Sequence, residues 1–244
     1  GNIIVVEADE FDRSFLSLAP TYSVINNLDL EHLDCYKNID DLKNTFCSFA
    51  NSIPFYGKVA INNDSEYLKQ IEKNINKSKV TYGISNKSDL MAKIVSFNKN
   101  ESIFKITSDI YNSNFTVRLN YPGLHNIYNA LAASSIALEL GVDTYQISKA
   151  LKNYSGVKRR FELVYNNANC NIIIIDDYAH HPIEIEYTLN AAKTGWKNRI
   201  ISIFEPHLYS RTKDFYKEFA KALSISDIIV VTEIYGAREK PIKN

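Results

Sequence analysis

Four polar clusters in the sequence stand directly after a short apolar run or open a helical one, the places from which an α/β sheet presents side chains to a ligand. In EADEFD, Glu7, Asp9, Glu10 and Asp12 crowd one strand end, and carboxylates so close repel one another unless a cation or basic group lies among them. A solvated acidic turn is the alternative. NNLDLEHLD sets Asp29, Glu31, His32 and Asp34 after the next strand-like run; carboxylates with an imidazole suit a divalent ion that keeps water and substrate oxygens as its other ligands. In PGLHNIYNALAA, Asn126 and Asn129 share a helical face. Carboxamides there can read the N6 and N7 edge of adenine, or Asn126 can serve as an ordinary helix cap. KRRF is either solvated surface or, at a crevice between domains, an arginine clamp for phosphate.

A further stretch, IIIIDDYAHHPIEIEYTL, carries adjacent His180 and His181 and invites a metal reading. The context opposes it. Pro182 suits the first turn of a helix, and a helix N-terminus favours anions over cations. The turn therefore favours an anion over a metal ion, with His181 capping or orienting it. The sequence holds neither a GxxxxGK[ST] phosphate loop nor a GxGxxG fingerprint, and only 8 glycines. If ATP is used, its phosphate cradle lies outside these residues.

The elements that must position these groups follow an α/β pattern with a mostly parallel sheet. NIIVVEAD, TYSVINN and GKVAINND read as strands, and NIDDLKNTFCSFANSI as an amphipathic helix through Ile39, Leu42, Phe46, Phe49, Ala50 and Ile53. A helix capped by Asp64 is expected next. KVTYGI, AKIVSF, SIFKITS and FTVRLN alternate in short runs that suggest added antiparallel strands. A long helix with a small-residue face then runs from the Pro-Gly turn to Gly141, and DTYQISKALKNY forms another. After SGVKRR a fresh series begins: strands 161–165 and 171–176, helix 182–194, strand 199–204, helix 212–224 and strand 227–232. The expected division is 1–158 and 159–244, with both units incomplete and both chain ends read as cut.

The 244 residues are 45% hydrophobic and 23% charged, with 28 basic and 28 acidic side chains and a formal net charge of +0. Such a chain can bury a core, and no block of like charge marks a nucleic-acid or membrane surface. No apolar run reaches the roughly 20 residues of a membrane span. Cys35, Cys47 and Cys170 are widely spaced and form no CxxC pair, which points to a reducing cytoplasm rather than a disulfide or zinc frame.

Seven strings in one order, EADEFDRSFL, NNLDLEHLDCY, LKNTFCSFANSIPFYG, YPGLHNIYNALAA, RRFE, DDYAHHPIEI and EPHLYSRT, resemble the Mur ligase family of peptidoglycan synthesis, and its alanine-adding branch most closely. The resemblance spans nearly the whole chain. It implies a central ATPase domain followed by a Rossmann-like C-terminal domain. It also implies that ATP converts the carboxylate of UDP-N-acetylmuramate into an acyl phosphate, which the amine of L-alanine attacks. Residue by residue, it implies Mg²⁺ ligation by Glu7 and His32, adenine contacts from Asn126 and Asn129, a phosphate contact from Arg160 and a ribose contact from Asp177. His180, His207 and Arg211 fall on the substrate side, and His32, Arg160 and His180 form the implied catalytic set. Such chemistry depends on charge neutralisation and in-line positioning rather than on a protein nucleophile.

Two departures stand out. Leu208 occupies a position where some relatives have arginine, and Thr45 and Phe46 stand near where sibling ligases carry a carbamoylated lysine. Two alternatives remain at this point: a ligase that joins UDP-N-acetylmuramate to a murein tripeptide, and a metal-dependent hydrolase that needs no nucleotide.

Overall fold

The computed structural model describes residues 1–28, 35–98, 101–167, 169–237 and 239–242. Six strands form one sheet in sequence order: β1 (Tyr22–Ile25), β2 (Lys58–Asn62), β3 (Lys79–Gly83), β4 (Leu90–Asn98), β5 (Glu101–Ser108) and β6 (Ser113–Leu119). β1, β2 and β3 are parallel, and β3 also meets β4 in parallel, through Tyr82 with Leu90 and Gly83 with Met91. The antiparallel expectation thus fails for KVTYGI and for its pairing with the next run. Period-two alternation reports a half-buried face but not a direction. The helix α2 (Glu66–Glu72) between β2 and β3 supplies the crossover that parallel neighbours require.

The helix α1 (Ile39–Asn51) begins where the Asn38 side chain accepts the Asp41 amide, and Asp40 and Asp41 favour the positive end of its dipole. Its Leu42 and Ala50 join Ile25, Ile53, Val59, Ile61 and Leu68 in the core under the parallel strands. Asp64 does not cap α2; Ser65 occupies that place. The Asp64 carboxylate instead accepts the amides of Ile84, Ser85 and Asn86 at 2.6, 3.0 and 2.7 Å, with Asn86 Nδ2 at 2.8 Å and the Tyr128 hydroxyl at 2.9 Å. Several converging donors satisfy a carboxylate better than one helix amide can.

The helix α3 (Leu124–Glu139) buries Ala130, Leu131, Ala132, Ser134 and Ser135, the small-residue face expected from its sequence. Gly141 ends it at φ +76°, as the Gly141 and Val142 amides turn back to the carbonyls of Leu138 and Ala137. The helix α4 (Thr144–Asn153) is capped by Asp143, which takes the amides of Tyr145 and Gln146. NIIVVEAD, expected as a strand, is not one: Ile4 and Val5 are 86% and 93% exposed, and an extended segment without a ladder partner is no strand.

The rest of the chain contains β7 (Glu162–Asn167), β8 (Ile172–Asp176), α5 (Pro182–Gly195), β9 (Ile201–Phe204), α6 (Tyr209–Asp214), α7 (Tyr216–Leu223) and β10 (Ile228–Val231). β7 and β8 make an antiparallel hairpin, and β9 pairs in parallel with β10. The helix expected over 212–224 starts earlier and breaks at Phe215, where φ −117° and ψ 19° leave the helical region. β8 and β9 belong to separate small sheets, with a cleft of about 630 Å³ lined by isoleucines of both. Ile185, Leu189, Phe204, Phe219, Ala222 and Leu223 form the core of this part.

Two compact units result: Gly1–Lys93 with Phe104–Val117 and Ile127–Ala150, and Ile94–Ile103 with Arg118–Asn126 and Leu151–Asn244. No helix among the described residues is long and apolar enough to cross a membrane.

Candidate functional site

In the second unit, the polar residues that follow β8 and β9 converge. Asp177, directly after β8, accepts the Phe161 amide at 2.7 Å and the Ala179 amide at 2.8 Å, one on each carboxylate oxygen. It thereby holds Phe161 in its left-handed conformation, φ +52°, and shapes the turn toward α5. Each oxygen keeps a further acceptor site for a ligand hydroxyl.

Glu184 organises the next turn. Its Oε2 accepts the amides of His180 and His181 at 2.9 and 3.2 Å, while Oε1 receives Arg160 Nη1 at 3.1 Å. Burial opposes ionisation of Glu184, but the His180 amide and ring together with Arg160 hold its carboxyl below the usual range. The glutamate three residues after a helix-capping position is the second half of a capping box, a signal present in HHPIE that the sequence reading did not use. Glu184→Ala is expected to lower stability by about 1–2 kcal/mol. Glu184→Gln keeps an acceptor for the turn and should cost well under half of that, a contrast that urea unfolding midpoints will report.

The same turn fixes the two histidines differently. His180 Nδ1 lies 3.0 Å from the Tyr178 carbonyl, which can only accept, so Nδ1 carries a proton and Nε2 of the neutral ring keeps a lone pair. His181 is buried, its ring edge-on to Phe215 at 5.1 Å. The expected capping or orienting part for His181 agrees with this placement.

After β9, His207 bridges Tyr235. The Leu208 amide donates to the Tyr235 carbonyl at 2.9 Å, and the Tyr235 amide donates to Pro206 at 2.8 Å. Leu208 has φ +71° immediately before α6, an uncommon conformation for a branched residue and one stabilised by this bridge. Glu239 then takes the amide and hydroxyl of Ser210 at the start of α6. These remote partners, Tyr235 and Glu239, carry no sequence signal linking them to His207.

His180, His207 and Arg211 thereby lie near one another, with Glu205 and Glu239 close by. The His180 and His207 rings lie 6.0 Å apart. Burial, then Arg211, then His180 push the His207 pKa below that of a free histidine. His207 Nδ1 and Arg211 Nη1 are buried with no hydrogen-bond partner among the described residues. An unmatched buried guanidinium nitrogen is costly, and an anionic oxygen from a ligand would satisfy it. His125, which the sequence reading passed over, lies in the same unit with its ring 5.8 Å from Tyr187; burial lowers its pKa, and Asp177 pulls the other way.

The other candidates stand as follows. Asn126, the third residue of α3, donates Nδ2 to the Pro122 carbonyl at 2.7 Å; a capping side chain would instead accept an amide, so the cap alternative is not what the side chain does, and its oxygen remains an acceptor. Asn129, in the first unit, accepts Asn26 Nδ2 at 3.4 Å. Glu7 is exposed in a segment without regular structure. His32, with Asp29, Glu31 and Asp34, lies outside the described residues. Among the described residues no three His, Cys, Asp or Glu side chains gather as a metal site. Glu7 offers one oxygen donor of the type Mg²⁺ takes, and the geometry carries the metal no further.

Comparison with known proteins places both parts of the chain. Residues 2–137 match the Mur ligase middle domain, and residues 159–243 match the Mur ligase, glutamate ligase domain. The UDP-N-acetylmuramate--L-alanine ligase of Sulfurihydrogenibium sp. is 46% identical over 100% of this chain and 52% of its own length. That of Chlorobaculum tepidum is 45% identical over 98% and 50%. The chain thus spans about half the length of the curated relatives it matches. Among solved structures, the UDP-N-acetylmuramate-alanine ligase of Thermotoga maritima aligns with a TM-score of 0.75 and 30% identity, covering 91% of this chain and 48% of that one. MurF from Acinetobacter baumannii shares the fold alone, with a TM-score of 0.74 at 18% identity. With its parallel-stranded middle domain and its C-terminal domain both matched, the chain belongs to the Mur ligase family.

Proposed function

We propose that this chain carries the middle and C-terminal parts of an ATP-dependent ligase that joins L-alanine to UDP-N-acetylmuramate in peptidoglycan precursor synthesis. The observation that carries this reading is the pair of buried nitrogens, His207 Nδ1 and Arg211 Nη1, that have no hydrogen-bond partner among the described residues and lie beside His180. They suit the carboxylate of an incoming amino acid and the charge that builds on a transferring phosphoryl group. The similarity to L-alanine ligases across the whole chain supports the same choice of amino acid.

A carboxylate is a poor electrophile until one oxygen becomes a leaving group, so the reaction proceeds through an acyl phosphate, and the task of the site is to neutralise and align. Arg211 offers a fork that matches a carboxylate, and Arg160, steadied by Glu184, points charge at phosphate. His180 Nε2 is suited to take the proton that the alanine ammonium must lose before it attacks. Asn126 and Asn129 contact the adenine and Asp177 the ribose. Glu7 and His32 would hold Mg²⁺, which when bound supplies positive charge to the phosphates.

The test is phosphate release by the whole gene product with ATP, Mg²⁺ and UDP-N-acetylmuramate, with and without L-alanine. Release that needs all four and is lost in His180→Ala supports the reading. Release that ignores L-alanine, or ligation of a murein tripeptide in its place, refutes it.

A further inference from the structure

At the carboxyl end of the parallel strands in the first unit, a chain of hydrogen bonds leads from the core to Asn129. Tyr82, on β3, is fully buried, and its hydroxyl donates to Asn26 Oδ1 at 2.7 Å. Asn26 follows β1; its main-chain carbonyl is held by Asn62 Nδ2 at 3.0 Å, and its own Nδ2 donates to Asn129 Oδ1 at 3.4 Å. Asn129 itself is exposed.

A carboxamide has one acceptor end and one donor end, so fixing one amide in such a chain fixes the next. With the Tyr82 hydroxyl donating to the Asn26 oxygen at 2.7 Å, in preference to the Ile25 carbonyl at 3.3 Å, Asn26 presents its nitrogen to Asn129. That turns the Asn129 oxygen toward Asn26 and leaves Asn129 Nδ2 as the group it offers outward. Without the hydroxyl, Asn26 can turn over, and Asn129 with it.

We infer that Tyr82 is a positioning residue: through Asn26 it sets which end of the Asn129 carboxamide faces the nucleotide, so that a hydrogen-bond donor meets a ring-nitrogen acceptor of the base. This rests on the adenine reading of Asn129 proposed above and adds what decides the orientation of that side chain. N7 is the acceptor on the edge of adenine that an amide reads. Burial raises the Tyr82 pKa far above its ordinary value, with Tyr128 adding to the effect, so the hydroxyl remains a donor at every working pH. The positions involved, 26, 82 and 129, are far apart in the sequence; the register of β1, β2 and β3 sets Asn26 beside Tyr82, and α3 brings Asn129 to them.

The experiment compares ATP with 7-deaza-ATP in the whole gene product, wild type against Tyr82→Phe. Replacing N7 by carbon in the wild type should raise the nucleotide KM about five- to tenfold, the worth of one hydrogen bond. Tyr82→Phe should raise KM for ATP by a similar factor, hold kcat within about twofold, and lose the discrimination between the two nucleotides. A merely structural role would lower the unfolding temperature and leave that discrimination intact. Asn26→Ala, which removes the relay at the surface, serves as the second variant should Tyr82→Phe fail to fold, and it should lose the discrimination likewise. If the wild type uses ATP yet treats 7-deaza-ATP equally, or if the variants still discriminate, the positioning role is overturned while the ligase reading stands. If ATP supports no reaction in the wild type, both fall.

Discussion

Replacing Arg211 by alanine lowers kcat/KM of the whole gene product by about a hundred- to a thousandfold, the loss that follows removal of one preorganised donor from a developing charge. Its Nη1 is buried without a partner among the described residues. That nitrogen's hydrogen-bonding capacity is unused in the free protein, and in the proposed reading the ligand takes it up. That arrangement makes the effect on stability opposite in direction to the effect on activity: the variant is expected to unfold at the same or a slightly higher temperature than the wild type. Arg211→Lys restores the charge but not the planar fork, and should recover little of the activity. Single-turnover rates and thermal midpoints measured on the same preparations check both halves. An Arg211→Ala enzyme with activity near that of wild type would remove the guanidinium from the site.

Asp64→Ala is the substitution expected to destabilise the chain most, by about 3 kcal/mol, because it leaves three convergent backbone amides and the Tyr128 hydroxyl without their acceptor. Gly83 keeps the space open: a Cβ there would lie 3.2 Å from Asp64 Oδ2 and 2.8 Å from Ser88 Oγ. Burial alone would raise the Asp64 pKa, but the amides of Ile84, Ser85 and Asn86 and the Tyr128 hydroxyl outweigh it and hold the carboxyl below its ordinary value. A depressed carboxylate pKa stabilises the fold fully above the unfolded value of about 4, and that contribution fades as pH falls through the folded value. Wild type should therefore lose stability on acidification through this window more steeply than Asp64→Ala does. Urea titrations at a series of acidic pH values measure the difference, and equal slopes would mean that Asp64 is not the group responsible.

The sequence was informative where a local rule suffices. The apolar spacing of Ile39–Asn51 marks a helix because its core face repeats every three or four residues, and Pro182 marks the start of α5 because its ring suits a first turn. The ordered motifs identified the family, since they record chemistry rather than geometry. Strand direction was less legible. β3 alternates like an edge strand yet pairs in parallel, because direction depends on how the chain crosses back through α2. NIIVVEAD has the composition of a strand, but β structure requires a partner as well as a propensity.

Among the candidate residues, the sequence by itself determined which side chains are present: the histidines, the arginines and the asparagine pair, with the proline that opens α5 after His181. Only the tertiary structure decided their states. Glu184 joins Arg160 to the His180 turn across 24 positions, Tyr235 and Glu239 hold the segment that carries His207 and Arg211, and Tyr82 reaches Asn129 through Asn26. Hydrogen-bond orientation and burial arise from groups distant in the chain that folding brings within about 3 Å, and no spacing along the sequence encodes that distance.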